Sequence, residues 1–89
     1  MLREFEFWIN DNTLYSFSHN TNTLSESTVI DVENEQYIAR FTVWDDFSCM
    51  SEVMDVDTGI YKLNRRNEFL TFDELLNIFN VFLMNFNTN

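Results

Sequence analysis

Cysteine, histidine and glycine each occur once in this 89-residue chain, and lysine and arginine together only five times. Each scarcity removes a class of function. With Cys49 alone, no intramolecular disulfide can form and no thiolate metal cluster can assemble within one chain. A lone His19 cannot supply a histidine ligand set. One glycine, Gly59, cannot build the phosphate-cradling G-x-x-x-x-G-K loop. Five cations against fifteen acids leave a formal charge of −10 and a pI near 4.1. Nucleic acids and anionic membranes both demand a positive footprint, so neither is the expected ligand. No apolar run is long enough to span a bilayer: Leu75 to Phe86 is short and is broken by Asn77, Asn80 and Asn85. Met1-Leu2-Arg3-Glu4-Phe5-Glu6 puts acids where a secretory leader needs a basic then apolar stretch, so a cytoplasmic location is expected.

What is present is the material of a folded protein. Hydrophobic residues make up 45% of the chain and aromatics 17%, with ten phenylalanines. That composition argues against a disordered acidic tail. The length fits one domain, residues 1–89, which buries only about 60–65% of its unfolded surface and so has a small stability margin. The acid surplus suits a basic partner, although solubility alone also accounts for it. Compaction at this charge carries a repulsive cost that a purely structural domain need not bear.

Periodicity predicts an α+β domain. The N-terminal stretch has two readings. As a helix, Leu2, Phe5, Trp8 and Ile9 share a face; as a hairpin, Phe5, Phe7 and Ile9 alternate and Asn10-Asp11-Asn12 turns. His19 to Ser27 holds a single apolar residue, Leu24, and predicts a loop. Thr28 to Val32 reads as a short strand, closed by Glu33-Asn34-Glu35. Gln36 to Trp44 alternates, with Tyr37, Ala39, Phe41 and Val43 as the core face and Ile38, Arg40, Thr42 and Trp44 opposite. After the Asp45-Asp46-Phe47 connection, Ser48 to Val56 predicts another strand. Asp57-Thr58-Gly59 is the strongest turn signal, followed by a strand from Ile60 to about Leu63. The sum is an antiparallel meander of about four strands, packed by a final helix from Phe72 to about Phe86. Thr71 and Glu74 fit a capping box in which the hydroxyl accepts from the Glu74 amide and the carboxylate reaches back to the Thr71 amide. Leu70 and Leu75 are spaced as a hydrophobic staple. The helix is apolar around most of its circumference, so the sheet and N-terminal segment enclose it, or part of it is an interface and a homodimer is open.

The chain carries no catalytic, cofactor or metal signature. Asp55-x-Asp57-x-Gly59 has the look of a calcium loop, but the glycine sits one place early and the bidentate position holds Arg66. His19 and Cys49 fall in a polar loop and a strand, and a buried cysteine is the expected state. The chemistry therefore lies in surface charge. Acids cluster at the turns and along the meander: Glu33, Glu35, Asp45, Asp46, Glu52, Asp55 and Asp57. In a meander the 33–35 and 57–59 turns fall at one end of the sheet and Asp45-Asp46 at the other, with Glu52 and Asp31 linking them. Trp44 and Tyr37 are the residue types that serve as buried anchors in such a surface.

The run Tyr37-Ile38-Ala39-Arg40-Phe41-Thr42-Val43-Trp44, then Ser48-Cys49, then Glu52-Val53-Met54-Asp55-Val56-Asp57-Thr58-Gly59, resembles the small immunity proteins of bacterial polymorphic-toxin systems. More narrowly, it is similar to the TriTu immunity family, over about residues 28–86. Asp46-Phe47 stands where the family pattern leads one to expect glycine, and Ser51 replaces an apolar residue. The N-terminal segment matches poorly, but related chains begin with a helix, which favours the helical reading there. The resemblance implies a cytoplasmic antidote that binds the C-terminal nuclease domain of a contact-delivered toxin, one that cleaves transfer RNA with elongation factor Tu as accessory. It brings no fixed set of toxin-contacting residues, so the site rests on charge. The competing function is an acidic nucleic-acid mimic that inhibits some other nucleic-acid-binding protein; an enzyme or small-molecule carrier would instead need a deep apolar pocket with converging polar groups.

Overall fold

The N-terminal segment is a helix, α1 (Leu2–Asn12), in the computed structural model, which describes residues 1–89. Leu2, Phe5 and Ile9 are its buried face. The Asn-Asp-Asn-Thr stretch ends this helix instead of turning a hairpin. The Asn12 side-chain amide donates to the Trp8 carbonyl at 3.0 Å, and the Thr13 hydroxyl donates to the Ile9 carbonyl at 2.7 Å. The Thr13 amide also donates to the Ile9 carbonyl, at 3.0 Å, so backbone and side chain close the last turn together.

Five strands follow, one more than the pattern predicts: β1 (Ser18–Thr21), β2 (Glu26–Glu33), β3 (Tyr37–Trp44), β4 (Ser48–Asp55) and β5 (Tyr61–Glu68). They form one open antiparallel sheet in sequence order. β1 and the first residues of β2 occupy the stretch expected to be a loop. Their side chains are almost all polar, and backbone pairing alone makes them strands, which periodicity of apolar residues cannot reveal. β5 likewise runs well past Leu63, because its polar residues are carried by the ladder to β4. The last helix, α2 (Phe72–Asn87), closes the chain.

Both helices lie on one face of the sheet, α1 over β2 and α2 over β3, β4 and β5. Strand alternation puts Ile30, Phe41, Val43, Cys49 and Val53 under them, all without solvent contact. Phe5, Phe41, Phe79 and Phe82 form the centre, with ring centroids 5.1–6.0 Å apart in mostly tilted and edge-on pairs. Ser51, opposite Phe41 in the β3–β4 ladder, is buried beside these rings. α2 spends most of its apolar surface here; Leu75, Phe79, Phe82 and Phe86 are buried, and only Val81 and Met84 are exposed apolar positions.

The start of α2 differs in part from its signature. Thr71 does cap it, accepting from the Glu74 amide at 3.1 Å, but the Glu74 carboxylate accepts from the Leu70 amide at 3.2 Å, one residue beyond the expected Thr71 amide. The staple does not form, since Leu70 is 86% exposed. Phe69 is buried in its place. Its amide donates to the Phe47 carbonyl at 3.0 Å, so the β5 alternation extends to residue 69 and turns Phe69 toward the helices and Leu70 away.

Candidate partner-binding surface

The molecule measures 35 × 28 × 21 Å. The short dimension holds one sheet and one helical layer at roughly 10 Å each. One face of the sheet is therefore covered by no other element. Four cross-strand rows make up this face: Ser27-Trp44-Ser48-Glu68, Val29-Thr42-Met50-Arg66, Asp31-Arg40-Glu52-Asn64 and Glu33-Ile38-Met54-Tyr61. It is neither a polar solvated face nor a closed core. Val29, Trp44, Met50, Glu52 and Met54 are half-buried by their neighbours, while Ile38 and Tyr61 are exposed.

The expected acids border this face, except Asp55, which pairs with Tyr37 in the ladder and shares its helix-side register. Glu33, Glu35, Asp55 and Asp57 gather at one end of the sheet, and the last three of these line or border a shallow concavity of ≈ 500 Å³ that also reaches Asn34, Gln36 and Asn89. Asp45 and Asp46 sit at the other end, beside Trp44. Glu52 lies between, on the open face. None of these acids forms an ion pair within 4 Å; the cations nearest to them are Arg40, which acts on Glu52 as well as on Asp31, and Arg66, which shares a concavity with Asp45 and Asp46. Three have structural duties as well. Asp55 accepts from the Asp57 and Thr58 amides at 2.9 and 3.0 Å, Asp45 accepts from the Glu26 amide at 3.1 Å, and Asp46 accepts from the Ser48 hydroxyl. Asp31 contributes less than expected, because Arg40 grips it bidentately at 2.7 and 3.3 Å.

Tyr37 does not belong to this surface. It is 4% exposed on the helix side, with the Lys62 ammonium 4.8 Å from its ring centroid. Its place in the alternation makes it core, and that outweighs its nearness in sequence to Glu33 and Glu35.

The Asp45-Asp46-Phe47 connection is a three-residue hairpin loop whose last residue, Phe47, has φ +63°. This left-handed position is the one glycine fills at least cost, and it is the place where the family pattern leads one to expect glycine. The family model described as Immunity protein TriTu matches residues 3–85. The chain belongs to the TriTu immunity-protein family. No curated protein matches it. The match to the TriTu model begins within α1, so it takes in the N-terminal segment that the motif-based resemblance left aside. A TriTu immunity protein implies a cognate toxin as its partner. No helix of the structure is long and apolar enough to cross a membrane.

A second polar cluster escapes sequence reasoning. His19 is in edge strand β1, and its Nδ1 lies 2.5 Å from Glu6 of α1, with Nε2 3.7 Å from Glu26 of β2. The Thr28 hydroxyl also donates to Glu6, at 2.6 Å. The hydrogen bond to Glu6 raises the His19 pKa above its ordinary 6.5. Cys49 is three strands away, on the order of 14 Å at the usual strand spacing, so the two form no dyad. Burial pushes the Cys49 thiol up to about 11, which leaves it protonated and unreactive at neutral pH. Nothing in the sequence spacing joins Glu6 to His19; the open-face residues Ile38, Met50 and Met54 were legible, as the second half of each strand's alternation.

Proposed function

We propose that this TriTu protein neutralises a nuclease toxin, the transfer-RNA-cleaving C-terminal domain of a contact-dependent growth-inhibition effector, by laying an acidic surface against the toxin's basic one. Family membership supports the antidote role. The nuclease reading rests on one observation: acids that belong to no internal ion pair stand at both ends of an uncovered, half-apolar sheet face. A nuclease that grips RNA presents lysine and arginine around its active site, because the phosphate backbone demands it. Such a surface attracts this chain from a distance, and complementary charge raises association rates from about 10⁵–10⁶ toward 10⁸–10⁹ M⁻¹s⁻¹ at low salt. Inhibition then follows from occupancy. No group of the antidote needs to react, and the complex with the toxin, with or without elongation factor Tu, forms in the cytoplasm where transfer RNA is found.

The test is co-expression with the product of the adjacent upstream gene. A stable complex on pull-down, rescue of growth, and protection of transfer RNA in a purified cleavage reaction are expected. Failure of both complex and rescue would end the proposal. Rescue with intact transfer RNA cleavage would show an antidote that works by some other route.

A further inference from the structure

The open sheet face has relief that matches one kind of contact. Toward the Tyr61 end, Ile38, Met54 and Tyr61 wall a concavity of ≈ 190 Å³ whose polar lining is Asp31, Arg40 and Glu52. Toward the other end, Trp44 and Leu24 wall one of ≈ 320 Å³ with Asp45, Asp46 and Arg66. The first is smaller than the roughly 300–1,000 Å³ of small-molecule sites, and the second barely reaches that range. They suit single side chains. In each, the local cation is already engaged: Arg40 holds Asp31 bidentately, and Arg66 lies 3.6 Å from Glu68. Glu52 in the first has no ion pair within 4 Å, although Arg40 of the same lining acts on it, and Asp45 and Asp46 in the second have none either and spend one oxygen each on the Glu26 amide and the Ser48 hydroxyl.

That combination selects a long aliphatic stem carrying a positive head. Lysine and arginine bury their methylenes along apolar surface and keep the charge at a polar rim. Trp44 adds a ring face that attracts a cation. A hydrophobic guest would strand the carboxylates, and an acidic one would be repelled.

We infer that the open face of the sheet is the docking face, and that it receives a basic protein surface through two long cationic side chains. One seats between Ile38, Met54, Tyr61 and Glu52, the other beside Trp44 and Asp45-Asp46. The two seats lie about 20 Å apart, six residues of β3 at ~3.3 Å each. The face itself spans about 26 by 19 Å, eight residues along by five strands across. With its acidic rims it approaches the ~800 Å² per partner of a standard interface, which favours a folded partner over a short peptide. This rests on the toxin-neutralising reading above and assigns it a face and a chemistry.

The experiment is calorimetric titration of the purified cognate toxin domain, sought in the adjacent upstream gene, into the chain and five variants, with folding verified by thermal unfolding. Glu52→Gln and Trp44→Ala are expected to weaken binding at least tenfold, and Glu52→Lys about a hundredfold. Asp11→Lys and Asp73→Lys, which make the same charge reversal on the helical side, should change it less than threefold. A map of ¹⁵N amide shifts on titrating the unaltered chain, with changes confined to the sheet and its turns and absent from α1 and α2, would support the same face without any substitution. If the helical-side reversals weaken binding while the open-face variants match the unaltered chain, the docking face is wrong although neutralisation stands. If the unaltered chain does not bind the toxin domain, the antidote reading falls and this inference with it.

Discussion

Two side chains connect distant parts of this fold, and both can be tested singly. Lys62 lies in β5, yet its ammonium donates to the Asn85 carbonyl at 2.8 Å and to the Thr88 carbonyl and hydroxyl. α2 has no basic residue in its last turn, so a neighbouring strand supplies the cation that its negative end favours. Lys62→Met is expected to cost about 1 kcal/mol, a fall in Tm of about 4–8 °C for a domain of this size. His19 ties α1 and β1 to β2 through Glu6 and Glu26. Its native pKa is raised, so the ion pair contributes in full below the unfolded value near 6.5 and is lost as pH rises through the higher native value. Chemical denaturation of the unaltered chain and His19→Gln should therefore give curves that lie furthest apart near pH 6 and converge toward pH 9. A difference that grows with pH would contradict the geometry.

At the scale of elements, the ends of α2 separate what local pattern can and cannot say. Thr71→Ala should destabilise by about 1 kcal/mol, because an amide of the first turn loses its acceptor. Leu70→Ala should change stability by less than about 0.5 kcal/mol, since that side chain is in solvent. A staple would predict the reverse ranking, and urea unfolding of the two variants decides between them. The capping hydroxyl was legible because it depends on four consecutive residues. The burial of Phe69 over Leu70 was not, because it is set by the ladder between β5 and β4. β3, β4 and α2 were readable from their apolar periods, whereas β1 and the far half of β5, with almost no apolar period of their own, are held by neighbours that lie elsewhere in the sequence. Of the candidate surface, the turn acids and Trp44 could be placed, but Tyr37 could not: its residue type suggested an anchor, and its register made it core.

For the whole molecule, a formal charge of −10 on a body with a radius of gyration of 12.8 Å sets the expected kinetics of binding. Raising salt from 50 to 300 mM shortens the Debye length from about 14 to about 6 Å. The association rate with the toxin domain should fall by tenfold or more over that range, while the dissociation rate changes little, because seated contacts are screened less than approach. Stopped-flow measurement at four or five salt concentrations checks this. A flat association rate would mean that the charge serves solubility and that recognition is carried by uncharged contacts.

By itself the chain of residues determined the class of fold, the acidity, the absence of familiar catalytic and phosphate-binding motifs, and the resemblance to TriTu immunity proteins; these follow from composition and from patterns repeated within a few residues. Only the tertiary structure decided which side of the sheet the helices cover. With it came the fate of Tyr37, the bridge from Glu6 to His19, and the setting of Glu52 among Ile38, Met54 and Tyr61. The reason is physical: alternation along a strand names two faces but not which one meets water, and cross-strand neighbours are joined by register, a relation between segments far apart in sequence.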